Sequence, residues 1–122
     1  MSGERKTLLI NLISSNGFNV GKAIRIGRKF LAADWKVVLS MNIEAVKLLD
    51  PVVGQQLCPV AEKPLIGLLK AFQVDGGRVL VGTECLALAG LGEDSLMPGM
   101  ELAKFPVMED ILGRPGTRTM TW

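Results

Sequence analysis

The chemistry available to this chain is concentrated in its two cysteines. One of them, Cys85, stands in the run Gly-Gly-Arg-Val-Leu-Val-Gly-Thr-Glu-Cys-Leu-Ala-Leu-Ala-Gly, residues 76 to 90. The run reads as a turn, a buried strand over Arg78 to Val81, and a helix beginning at Thr83. The thiol then falls in the first turn of a helix, just past the carboxyl end of a strand. Orphan backbone amides and the positive end of the helix dipole favour a thiolate there. A thiolate can attack a persulfide, hold the outer sulfur and yield it to an acceptor thiol. The competing reading is a small apolar side chain packed within Cys-Leu-Ala-Leu-Ala. Cys58, ahead of Pro59 in a loop, has no helix terminus to activate it. It is either incidental or a second thiol that resolves Cys85, and a Cys58–Cys85 disulfide would make the chain a redox sensor.

The chain has no histidine and no tyrosine. That removes Ser-His-Asp triads, histidine metal sites and the commonest general base, and neither a metal nor a cofactor is expected. A net charge of +2 is too small to mark a nucleic-acid binder. Lys22, Arg25, Arg28 and Lys29 fall in one predicted helix, where a solvated face explains them better than a phosphate patch, because no aromatic residues interleave. No apolar stretch approaches the roughly 18 residues of a membrane span. Two cysteines, and a polar start with no signal-peptide pattern, point to a reducing cytoplasm.

These residues must be positioned by a chain of 122 residues, one domain by the usual size prior. Thr7 to Ser14 is a nearly continuous apolar run, as in a central parallel strand covered on both faces. Ser15 to Asn19 reads as a loop and Val20 to Ala33 as an amphipathic helix. Lys36 to Met41 is a second strand, and Asn42 is placed to cap a short helix from Ile43 to Leu49. Pro51 to Glu62 has no clear period. Pro64 to Phe72 reads as a helix broken by Gly76-Gly77. Beyond the Cys85 helix come a turn (Gly90 to Ser95), a strand (Met100 to Phe105), a helix (Val107 to Leu112, with Pro106 at its start) and a last strand (Thr117 to Trp122). Strands alternating with helices predict an α/β fold, a five-stranded mostly parallel sheet between helix layers, with the last strand's direction left open.

In such folds the functional crevice lies beyond the carboxyl ends of the strands. Ser15 and Asn16 arrive there after the first strand, as ligand-binding candidates or simply as helix caps. Gly82 and Thr83 arrive after the third strand, where backbone amides would receive a small anion or form only a tight turn. Met41, Met97 and Met100 would line a soft pocket or fill the core.

Taken in order, several pieces resemble the DsrE/DsrF-like family of sulfur-relay proteins. They are Thr7-Leu-Leu-Ile-Asn-Leu12, Val37 to Asp50, Leu68-Leu-Lys-Ala-Phe72, Gly76-Gly-Arg-Val-Leu-Val81, Glu84-Cys-Leu-Ala-Leu-Ala-Gly-Leu91 and Asp94-Ser-Leu-Met-Pro-Gly-Met100. The resemblance implies a three-layer α/β/α domain with a flavodoxin-like, half-Rossmann layout. It also implies assembly as a trimer or hexamer, or as a hetero-oligomer with related subunits, and exchange with sulfur donor and acceptor proteins. Sulfur-carrying members hold a persulfide between the third strand and its helix, so the resemblance makes Cys85 the candidate site of a sulfurtransferase or sulfur carrier. In those members the carrier stands at the position of Gly82 when aligned on Gly90, and Cys85 matches instead the second thiol of members with two. The alternative is therefore a non-catalytic subunit or small-ligand binding module that kept the fold and lost the carrier.

Overall fold

The computed structural model describes residues 5–122. Five strands, β1 (Thr7–Leu12), β2 (Lys36–Met41), β3 (Arg78–Val81), β4 (Glu101–Leu102) and β5 (Thr117–Thr121), form one sheet in the order β4-β3-β2-β1-β5. Every pairing is parallel, including that of the last strand with β1. Four helices connect them: α1 (Gly17–Ala32), α2 (Leu65–Val74), α3 (Thr83–Leu88) and α4 (Phe105–Leu112). The chain steps one way from β1 to β4, then α4 carries it back across the sheet to β5 beside β1. This is an α/β fold with helices on both faces of the sheet.

The two faces are unequal. Leu8, Ile10, Leu12, Val37, Leu39, Met41, Val79 and Val81 alternate onto one face, where they meet Val20 and Ile24 of α1 and Leu69 and Phe72 of α2. Leu9, Val38 and Leu80 point the other way and pack beneath α4 through Ile111, with Val107 and Met108 beside it. Strands covered on both sides need apolar residues at nearly every position, and this is why β1 reads as an unbroken run. Each fully buried Leu, Ile or Phe contributes about 1.5–3 kcal/mol relative to exposure, so the α1/α2 side supplies most of the hydrophobic stabilisation.

Several boundaries differ from the sequence reading, each for a local reason. Helix α1 begins at Gly17, not Val20, because the Asn16 side-chain oxygen accepts from the amides of Phe18 (2.9 Å) and Asn19 (3.4 Å). Residues Ile43–Leu49 form a 3₁₀ segment, and Asn42 does not cap it with its side chain. Strand β4 is only two residues long, and Phe105, expected at its end, is the first residue of α4. This short strand is fastened by Arg78, whose guanidinium donates to both Glu101 carboxylate oxygens at 2.7 and 2.9 Å. The bidentate bond raises the Arg78 pKa and lowers that of Glu101.

The turn from α2 into β3 depends on two glycines. Gly76 has φ +105°, a conformation that L side chains rarely adopt. A Cβ on Gly77 would lie 2.3 Å from the ring of the fully buried Phe72. Gly77→Ala should therefore destabilise the fold by about 1–3 kcal/mol through overpacking. Gly67, exposed within α2 and with nothing near its Cβ position, should gain roughly 0.5–1 kcal/mol on substitution by Ala. Urea unfolding of the two variants should show opposite shifts in midpoint.

Candidate functional site

Strand β3 ends against Gly82, and the chain turns directly into the six residues of α3. Leu86 anchors that helix in the core at 3 % exposure. Cys85, one residue earlier, is half-buried and unpaired. Residues 85, 88 and 89 share a helix face, and here that face meets the 3₁₀ segment after β2. Between them lies a groove of 210 Å³ lined by Ile43, Glu44, Lys47, Cys85, Leu88 and Ala89. Glu44 and Lys47 form an ion pair at 2.5 Å, so the groove has apolar walls and a locally neutralised rim. Ile43 is held at φ 56°, a strained conformation for a β-branched residue, and its side chain is 59 % exposed.

The carboxyl edge above the sheet is organised by Asn42. Its side-chain amide donates to the Asn11 side-chain oxygen and to the Ser40 hydroxyl, both at 2.9 Å. Its own oxygen then lies so close to Gly82 that a Cβ there would be 2.5 Å away. Glycine at this position is thus demanded by packing. The first amides of α3 carry no side-chain cap.

The other residues singled out in the sequence are dispersed. Ser15 and Asn16 follow β1, two strands away from Gly82 in the sheet order. Asn16 is occupied in capping α1, and its own amide donates to Ser14 Oγ at 2.9 Å. Thr83 is exposed at the start of α3, where Gly82 occupies the cap position. Cys58 is buried at 1 % exposure against α1, where its sulfur would lie 2.6 Å from a Cβ on Gly21. It is not among the residues lining the Cys85 groove. Met41 and Met100 are core residues, and Met97 packs against the same core. Lys22, Arg25, Arg28 and Lys29 are all exposed on α1. Among the described residues no group of His, Cys, Asp or Glu could hold a metal ion, and no helix is long and apolar enough to cross a membrane.

Two features escaped the sequence reading. The sequence places Asn42 as a helix cap, and only strand register shows its contact with Asn11, because β1 and β2 pair with Asn11 opposite Ser40. The groove itself joins segments some forty residues apart, with no local signal.

No family model matches the chain, and none of the curated proteins does. Solved structures do resemble it. The ychN protein from E. coli superposes with a TM-score of 0.76 at 13 % identity, covering 98 % of this chain and 100 % of that one. MTH1491 from Methanobacterium thermoautotrophicum, described as a protein of unknown function, gives 0.73 at 13 % identity, with 96 % and 99 % covered. At this identity the likeness is one of fold.

The unequal burial of the two thiols has a direct readout. Under native conditions a bulky thiol reagent should modify one cysteine quickly, and peptide mapping should locate it at Cys85. Cys58 should react only at the rate of unfolding. Equal native reactivity would contradict this arrangement.

Proposed function

We propose that this chain is a sulfur-relay protein of the DsrE/DsrF-like kind, carrying sulfane sulfur on Cys85. The observation that supports the reading best is the placement of the Cys85 thiol in an open, apolar-walled groove while Cys58 is enclosed in the core. The Cys85 thiolate attacks the outer sulfur of a donor persulfide. The donor S–S bond breaks, a new S–S bond forms on Cys85, and the donor leaves as a thiolate. An acceptor thiolate then repeats the attack on the outer sulfur and restores Cys85, with no net oxidation or reduction. Ile43 and Leu88 flank the carried sulfur, and a partner that presents its own thiol meets these exposed side chains first. The carrier lies three residues further along the chain than in the sulfur-carrying members it resembles.

The reading is tested by incubating the protein with a low-molecular-weight persulfide and weighing it intact. One added sulfur is expected, abolished in Cys85→Ala and retained in Cys58→Ala. No adduct, or an adduct that survives Cys85→Ala, would sink it.

A second reading is favoured by the Gly82–Asn42 contact, which leaves no space for a side chain where the resemblance places the carrier. In that case the chain is a non-catalytic subunit or binding module. A small polar ligand would then meet Gly82 and Thr83 at the start of α3, with Ser15 and Asn16 two strands away.

Either role fits an assembly of several copies in a reducing cytoplasm. Phe18 (62 % exposed) opens α1 and Phe105 (74 % exposed) opens α4, leaving an exposed apolar side chain on each face of the sheet for a neighbouring copy to cover. Sedimentation at micromolar concentration should give a trimer or hexamer, weakened by Phe105→Glu. A monomer would remove the proposal.

A further inference from the structure

A second cleft, of 490 Å³, opens at the edge of the sheet opposite the carboxyl ends. Its rim carries Arg5, Lys36, Arg78 and Arg114 against one carboxylate, Asp75. Arg5 lies just before β1, Lys36 and Arg78 are the first residues of β2 and β3, and Arg114 stands in the turn into β5. Parallel pairing brings these four positions to one edge, although more than thirty residues separate each from the next. Leu31 and Trp35 form an apolar wall.

The ion pairs at this edge leave a small positive excess: Arg5, Arg78 and Arg114 each have a carboxylate partner, and Lys36 is the lining cation with no ion pair among the described residues. Asp75 is engaged by Arg28 at 2.6 Å. Glu101, Asp110 and Asp34, which pair with Arg78, Arg114 and Arg5, are not among the lining residues. A guanidinium has five N–H donors. Arg78 directs only Nε and Nη2 at Glu101, and Arg114 only Nη2 at Asp110, so both keep donors for another acceptor. Helices α1, α2 and α4 end at this edge, and their carbonyl ends attract cations. That does not account for Lys36 and Arg78, which begin strands. The volume lies within the range of small-ligand sites, about 300–1,000 Å³.

We propose that this cleft binds a small polyanion bearing two or more phosphate- or sulfate-type groups. Arg78, Arg114 and Lys36 hold its oxygens, and any apolar part lies on Trp35 and Leu31. The site is independent of Cys85 and of the sulfur chemistry proposed there.

Inorganic pyrophosphate is the probe, titrated calorimetrically into the full chain at low ionic strength. Saturable binding is expected, weakened about tenfold or more, the equivalent of ~1.4 kcal/mol, in the Lys36→Gln/Arg114→Gln double variant. It should be unchanged in Cys85→Ala and in the Lys22→Gln/Lys29→Gln control on the solvated face of α1. Because the chain has two tryptophans, Trp122→Phe leaves Trp35 as the sole reporter, and its fluorescence should follow the same isotherm. Absence of saturable binding overturns the proposal. So does equal weakening by the α1 control, which would reduce the effect to net charge.

Discussion

The side chain of Asn42 fixes what can happen at the carboxyl edge of this sheet. Both hydrogens of its amide are used, one on Asn11 and one on Ser40, so the ends of β1 and β2 are tied and the side chain cannot turn away. A half-buried amide that lost these acceptors would be left with unsatisfied donors, which is costly. Its oxygen is consequently held against the end of β3, and only glycine fits opposite it. A side chain at that turn would have to displace an amide whose hydrogen bonds join β1 and β2. The thiol this chain does present stands one helical turn further on.

The same sheet explains why two quite different clefts sit at its two edges. Parallel strands all begin at one edge, so a cation leading into several of them accumulates there without any local charge run. At the other edge the strands release the chain into turns, caps and helix starts, and the lining is neutral and apolar. Arg78 shows how closely fold and edge are linked. Its bidentate bond to Glu101 holds a strand of only two residues, and the same residue lines the cleft.

Much of this architecture was legible because burial on both faces imposes a simple pattern. The runs Thr7-Leu-Leu-Ile-Asn-Leu12 and Arg78-Val-Leu-Val81 are strands, and Thr83 opens a helix, as their composition predicts. Ser15 to Asn19 was misread because a glycine and two asparagines resemble a loop, whereas one asparagine oxygen suffices to start α1 early. The end of β4 was misread because Phe105 and Val107 continue an apolar pattern that Pro106 resolves as a helix start. The site was less legible. The Lys22 to Lys29 cluster drew notice by adjacency in sequence, yet it is a solvated face. Arg5, Lys36, Arg78 and Arg114 escaped because what joins them is register. A cation recurring at or just before successive strand starts was the available signal.

The direction in which Cys85 faces also bears on what it can react with. Leu86 points into the core and fixes the rotation of α3, so Cys85, Leu88 and Ala89 look sideways onto the 3₁₀ segment, not into the crevice above the strand ends. A groove of 210 Å³ is smaller than the usual small-ligand site. It has room for a sulfur atom or for a side chain entering from outside. Leu88, at 88 % exposure, stands beside the thiol without a partner, and large apolar surface next to a reactive group is more often covered than left in water. The groove is therefore shaped less like an enclosed small-ligand site than like a shallow seat beside a half-buried thiol, open to a small reagent and to an entering side chain alike.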